Sequence, residues 1–126
     1  MTAGELPAIF LGGGLGASCR YALGRFIGER YDGAFPLGTF IINVTGCFTL
    51  GLLATRIALS HRDAALLTAL LATGFLGAYT TFSTYALEGV LLFLEGGRRL
   101  AALTLVGSVG AGMLAAALGA ALGRAL

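Results

Sequence analysis

Charged side chains interrupt this chain in narrow bands, and the apolar intervals between the bands are long. Residues 6–19 carry no charge, and beyond Arg20 and Arg25 the apolar stretch continues to Gly28. Residues 35–55 are uncharged, as are residues 64–87; Glu88 then precedes a further apolar run to Leu94, and residues 100–123 form a last uncharged interval. A helix needs about 20 apolar residues to cross a hydrocarbon core of ~30 Å. The pattern therefore predicts four spanning helices, with short connections at residues 29–34, 56–63 and 95–99. Pro7 and Pro36 fall at predicted helix starts, where a missing N–H costs nothing. Residues 1–6 carry only Glu5 as a charge, so the first helix lacks the basic leader of a signal peptide.

Composition turns this pattern into an exclusion. The chain has 126 residues, 57% hydrophobic and only 11% charged, with a mean hydropathy of +0.90. Ordinary soluble domains carry about 25% charged residues, so a water-soluble monomer is excluded. The length predicts a single domain, residues 1–126, without room for a soluble catalytic module beside a membrane anchor. All eight basic residues are arginines, scattered to a net charge of +2, which makes no patch for nucleic acid. His61 is the only histidine and stands in a predicted connection beside Arg62, a poor start for an enzyme. Cys19 and Cys47 fit neither a disulfide framework nor a metal quartet and read as small packing residues.

Four spans put both termini on one side of the membrane. That side would carry Arg56, Arg62 and Arg124, and the other Arg25, Arg30, Arg98 and Arg99. Orientation normally follows the arginine and lysine excess in short cytoplasmic loops, and this bias barely chooses. Either unseen factors resolve it, or the chain inserts both ways and assembles as an antiparallel dimer; short length, tight loops and the absence of lysine favour the second. Gly12 with Gly16, Gly24 with Gly28, and Gly119 with Gly123 are each four apart. Such pairs let helix backbones approach closely in lipid.

The third apolar run, residues 64–94, is too long. As one helix it would extend about 46 Å at ~1.5 Å per residue. Its centre reads TGFLGAYTTFSTY from Thr73 to Tyr85, glycines followed by a cluster of hydroxyl residues. Glycine weakens a helix, and threonine hydroxyls compete for its backbone. The sequence predicts a break near Gly77. Irregular backbone at membrane depth persists only where protein or a wet cavity satisfies its polar groups, and in transporters such breaks hold ions.

Other polar residues stand near this segment in the pattern. Thr39 and Asn43, with Gly46 and Cys47, make one small polar face of the second helix. Thr104 and Ser108 lie one turn apart on the fourth. Arg20 either snorkels to the interface or makes a wet vestibule electropositive for an anion. Glu88 either marks the same vestibule or pairs with an arginine.

Gly38-Thr39 with Asn43 and Gly46, the string from Thr73-Gly74-Phe75 through Thr80-Thr81-Phe82-Ser83-Thr84, Glu88, and GLGASCRY from Gly14 to Tyr21 together resemble the Fluc (CrcB) fluoride channels over essentially the whole chain. The resemblance implies an all-α membrane protein of four transmembrane helices, the third broken mid-membrane. It implies a dual-topology antiparallel homodimer in the bacterial inner membrane, passively exporting fluoride through two pores at the dimer interface. Phe82 and Tyr85 then match the paired rings along the ion path and Asn43 its pore-lining asparagine, with Thr39 on the same polar face. Ser83 and Thr84 match hydroxyls near the ions, and Ser108 a serine on helix four. Arg20 and Glu88 fall at the vestibule. Gly77 and Thr80 match positions whose carbonyls hold a structural sodium ion on the two-fold axis.

The implied chemistry is coherent. Fluoride is strongly hydrated, so a path must replace its water with close-set donors, and a ring meets an anion with its positive edge. Two features depart from the family pattern. Tyr85 replaces the second phenylalanine, adding a hydroxyl that either supplies a donor or narrows the path, and Thr104 and Gly112 thin the polar track of helix four. A small proton-coupled multidrug exporter is the alternative of similar size, but it requires an acid embedded in the first helix, where this chain has Arg20.

Overall fold

The computed structural model describes residues 4–60 and 64–126, and among these all regular structure is helical. The connection carrying His61 and Arg62 lies outside the described residues, and with it part of the arginine balance. Helix α1 is Glu5–Gly28, α2 is Leu37–Leu59, α3 covers residues 65–79, α4 is Phe82–Leu94, and α5 is Arg98–Ala125.

Local chemistry explains several boundaries. Pro36 caps α2, and its carbonyl accepts from the Phe40 amide. Thr81 caps α4, its hydroxyl accepting from the Thr84 amide at 3.2 Å, the usual role of a threonine before a first turn. At the far end of α4, Gly96 adopts φ +87° and the Gly97 amide reaches back to the Leu92 carbonyl. That six-residue reverse bond with a left-handed glycine closes a helix sharply, and α5 starts at Arg98.

Two helix pairs carry the packing, α1 along α3 and α2 along α5. Both depend on glycine. A Cβ on Gly16 would lie 2.1 Å from the Phe75 carbonyl oxygen, and one on Gly119 would lie 2.0 Å from that of Phe48. The backbones therefore touch directly, with Cα–H groups against carbonyls. Gly12 and Gly123 repeat the arrangement one turn away, whereas Gly28 faces open space. Of the three predicted glycine pairs, Gly24–Gly28 thus packs only through Gly24, against Ile42 and Gly38.

Small residues fill the interior and large apolar ones face out. Ala8, Ala69, Ala101 and Ala115 are buried, while Phe10, Met113 and Val106 are exposed. In water such a surface would aggregate; in hydrocarbon it is the solvated face. Among the described residues, three segments are long and apolar enough to cross a membrane: Leu37–Leu59, Ala65–Leu94 (α3 with α4) and Arg98–Ala125. The expectation of four holds less well for α1. It has 24 residues, but its glycines with Arg20 and Arg25 leave it less apolar than the others.

The third span departs from a regular helix in a different place from the one expected. Gly77 is helical, with φ −62° and ψ −34°. The residues that leave the helix are Thr80, at ψ 160°, and Thr81, at φ −145° and ψ 122°. Glycine loosens the helix at 77, but it is the threonines that exit, the Thr80 hydroxyl bonding back to the Leu76 carbonyl at 2.9 Å. Residues 68–76 are wound as a π-helix, and a second π turn covers residues 103–107. Neither was foreshadowed in the sequence.

The close crossings make a direct prediction about one helix. Gly119→Ala should destabilise the protein by at least the ~1–3 kcal/mol of overpacking, because its Cβ meets backbone. Gly110→Ala, where nothing lies within 4 Å, should be neutral or gain about 1 kcal/mol of helix propensity. Unfolding midpoints in detergent compare the two, and equal effects would refute the crossing geometry.

Candidate functional site

The site begins with the two extended residues between α3 and α4. A chain that leaves helical geometry there strands N–H and C=O groups, and in hydrocarbon each such group costs several kcal/mol. Asn43, on α2, takes up both groups of Thr81. Its Nδ2 donates to the Thr81 carbonyl at 2.9 Å, and the Thr81 amide donates to its Oδ1 at 2.9 Å. The planar side-chain amide thus pairs with a peptide as a neighbouring strand would. One amide hydrogen of Asn43 remains for another acceptor.

The Asn43 pair has a consequence for Gly77. In a continuous helix the Thr81 amide would donate to the Gly77 carbonyl; here it goes to Asn43 instead, so that carbonyl loses its helical donor. Gly77 is itself exposed. The Thr80 carbonyl accepts from Arg20 Nη1 at 3.4 Å, a long bond that leaves a lone pair free.

Two recesses flank the Thr80–Thr81 segment. The first, of about 510 Å³, lies among α2, α3, α4 and α5, and brings together Asn43, Gly77, Thr80, Phe82, Tyr85 and Ser108. The second, of about 530 Å³, contains Arg20, Thr39, Thr84 and Glu88 beneath the aromatic loop side chains Tyr31 and Phe35. Thr81 lines both. Helix α4 produces this division by its own periodicity: Phe82 and Tyr85 are three apart on one face, Thr84 and Glu88 four apart on another. Of the site residues expected from sequence, ten fall into one recess or the other. Ser83 is exposed and lines neither; its hydroxyl stands 3.4 Å from that of Thr81.

In the first recess the rings of Phe82 and Tyr85 have centroids 5.6 Å apart, tilted by 49°. Phe82 is 79% exposed, which is extreme for a phenylalanine beside buried polar backbone. The Tyr85 hydroxyl donates to the Leu105 carbonyl at 2.5 Å. Cys47 lines this recess next to Gly112, while Cys19 is exposed on α1.

In the second recess the Thr39 hydroxyl donates to Glu88 Oε1 at 2.9 Å, while Glu88 Oε2 is buried with no partner among the described residues. Glu88 lines this recess with Arg20, but its expected pairing with an arginine is not realised among the described residues. The nearby arginines are differently occupied. Arg25 is paired with Glu29 at 2.6 Å, and Arg30 lies 3.8 Å over the Phe26 ring. Arg20 makes no ion pair with a described acid, so its charge faces the recess.

Thr104 and Ser108 do not form the common stripe expected of them. Thr104 is 1% exposed, its hydroxyl without a partner among the described residues, while Ser108 lines the first recess. Thr104 lies within the π turn at 103–107, and Ser108 is the first residue of the α-helix that follows it. Thr81 and Leu105 are the participants that residue type alone did not single out. For Thr81 the signal was present as a capping threonine before a helix; for Leu105 only a backbone atom matters, and side-chain patterns cannot reveal it. No group of three or more His, Cys, Asp or Glu residues is arranged to hold a metal among the described residues.

Chemically the assembly offers uncharged donors and ring edges in one recess and the Arg20 guanidinium, beside the Glu88 carboxyl, in the other. Such a pair suits a small anion that is attracted by charge and then carried past dipoles.

Comparison with known proteins supplies the family. Residues 7–120 match the family described as CrcB-like protein, Camphor Resistance (CrcB). The chain is 44% identical over 122 residues to the fluoride-specific ion channel FluC 2 of Brucella abortus biovar 1 (strain 9-941), covering 95% of each chain. It is 42% identical over 120 residues to the fluoride-specific ion channel FluC of Chloroflexus aurantiacus (strain ATCC 29366 / DSM 635 / J-10-fl), again covering 95% of each. A match that spans α1 through most of α5, with the recess residues inside it, leads to one conclusion: the chain belongs to the CrcB family.

Proposed function

We infer that this protein is a multi-pass membrane channel for fluoride, passively exporting the ion across the bacterial inner membrane. The observation that carries the inference is the near full-length similarity to relatives named as fluoride-specific ion channels, and the recess chemistry supports it. Arg20 draws the anion into the second recess. Thr84 and the free amide hydrogen of Asn43 then supply donors one at a time, replacing hydration without the deep trap that a cluster of buried charges would make, while Thr39 holds Glu88 by its own proton. Phe82 and Tyr85 present ring edges, which are positive. Ser83 stands at the same level on the exposed side of α4, and Ser108 faces the rings from α5.

We further infer that the working unit is an antiparallel homodimer of dual topology, with α1 as the fourth span and the Thr80–Thr81 interruption at mid-membrane. The exposed Phe82, the exposed Gly77 and the open first recess favour a second copy on that face, and the near-balanced arginines favour two orientations. Two copies would complete two paths. The carbonyls of Gly77 and Thr80 fit a structural sodium ion at the axis, because hard oxygen donors suit a small hard cation and the Gly77 carbonyl has lost its helical donor. Bound there, sodium would supply a fixed positive charge among facing carbonyl dipoles. A proton-coupled exporter is not favoured, since Glu5 at the very start of α1 is that helix's only acid.

Three outcomes are expected. Purified protein in liposomes should release fluoride far faster than empty vesicles while retaining chloride, measured with an ion-selective electrode; release at the background rate would eliminate the channel reading. Phe82→Ala removes an exposed ring with no hydrogen bond and should slow efflux with the fold intact, whereas Asn43→Ala should slow efflux and also cost about 2–5 kcal/mol, since it orphans both backbone groups of Thr81. Equal stability of the two variants would contradict the role assigned to Asn43. Replacing sodium with a large organic cation should lower the dimer's thermal midpoint, and indifference to the cation would remove the axial site.

A further inference from the structure

Tyr85 and Gly89 are four residues apart on α4, so both face the same neighbour. Both engage Leu105. The Tyr85 hydroxyl donates to its carbonyl at 2.5 Å. A Cβ on Gly89 would lie 2.3 Å from Leu105 Cδ2, so the leucine side chain fills the notch that glycine leaves. One residue is thus gripped at two points, by its backbone and by its side chain.

Leu105 is the middle residue of the π turn 103–107. A π turn is a local widening of the helix that needs a cause, and a side chain bonded into the helix backbone is one of the recognised ones. The α-helical continuation starts at Ser108, which reaches the first recess with Asn43 and Phe82. The phase of the helix after the turn decides whether Ser108 faces that recess.

The same bond settles what the extra hydroxyl of Tyr85 can do. It has a single proton, and the Leu105 carbonyl takes it. Only lone pairs remain, and these repel an anion. The hydroxyl is therefore no ion donor. A ring tethered at its far end, moreover, cannot swing about its side-chain torsions without breaking the tether, so its edge is held in a fixed relation to Phe82.

We propose that Tyr85 is a positioning residue of the ion path: by clamping Leu105 together with Gly89 it fixes its own ring and the π turn that turns Ser108 into the recess. The proposal rests on the channel reading. Loss of the hydroxyl frees both the ring and the turn at once.

The test compares wild type with Tyr85→Phe as intact dimers in liposomes, with efflux expressed per dimer. The companion readout is the modification rate of Ser108→Cys by a water-soluble thiol reagent, in a background with Cys19 and Cys47 replaced by alanine. Tyr85→Phe is expected to lower per-dimer fluoride efflux by about 2- to 10-fold, the equivalent of one neutral hydrogen bond, and to change the modification rate at position 108 by a similar factor. Gly89→Ala, which expels the Leu105 side chain but keeps the hydroxyl, should also lower per-dimer efflux. Unchanged efflux and unchanged modification in Tyr85→Phe would overturn the proposal. So would a loss of dimer with the per-dimer rate preserved, because the bond would then be structural only. A wild type that passes no fluoride would instead sink the channel reading itself.

Discussion

The reciprocal pair between the Asn43 side chain and the Thr81 peptide is the constraint on which the rest of this structure depends. Hydrocarbon supplies no partner for a backbone group, so a helix that opens inside it must find one in the protein. Here one amide side chain satisfies both groups of one peptide. It also fixes α2 to the point where α3 becomes α4. Everything near that point inherits the arrangement: the direction of α4, the division of its two faces between two recesses, and the released carbonyl of Gly77.

Close packing makes such a pair attainable. Apolar side chains gain little by meeting one another in lipid, so association relies on backbone approach and hydrogen bonds. The Gly16 and Gly119 crossings bring α1 onto α3 and α2 onto α5 at backbone distance. The α2–α5 crossing sets where α2 stands, and with it where Asn43 can reach. Glycine in this chain therefore acts mainly by what it lacks, a Cβ at a crossing. Gly96, with its left-handed backbone, is the exception.

The helical class, the lengths of α2 and of the last two runs, and most of the recess residues were legible in the sequence, because burial in lipid writes itself as long uncharged intervals. Asn43 and the Thr80–Thr81 region were legible too, since polar residues in such intervals are conspicuous. The exact exit from the helix was not. Gly77 and the threonines both weaken a helix, and choosing between them required knowing that Asn43 waits opposite Thr81. The π turns left no trace in composition or spacing. Thr104 and Ser108 differ too: a spacing of four implied one stripe, but Thr104 is buried within the π turn and Ser108 lines the first recess.

The scarcity of charge has its counterpart in a scarcity of free donors. Several intramembrane hydroxyls are committed to their own helices: Ser18 to the Gly14 carbonyl, Thr45 to that of Ile41, Thr49 to that of Thr45 and Thr80 to that of Leu76. A hydroxyl so committed offers an anion nothing but lone pairs. What remains is narrower than the sequence suggests. Asn43 keeps one amide hydrogen, and Thr84 accepts from Thr81 and keeps its own proton. Both stand beside the Thr80–Thr81 interruption, one facing each recess. A small anion moving between the recesses would find donors there, with the Ser108 hydroxyl across the first recess, so the segment that breaks the helix also marks where dehydration can be compensated.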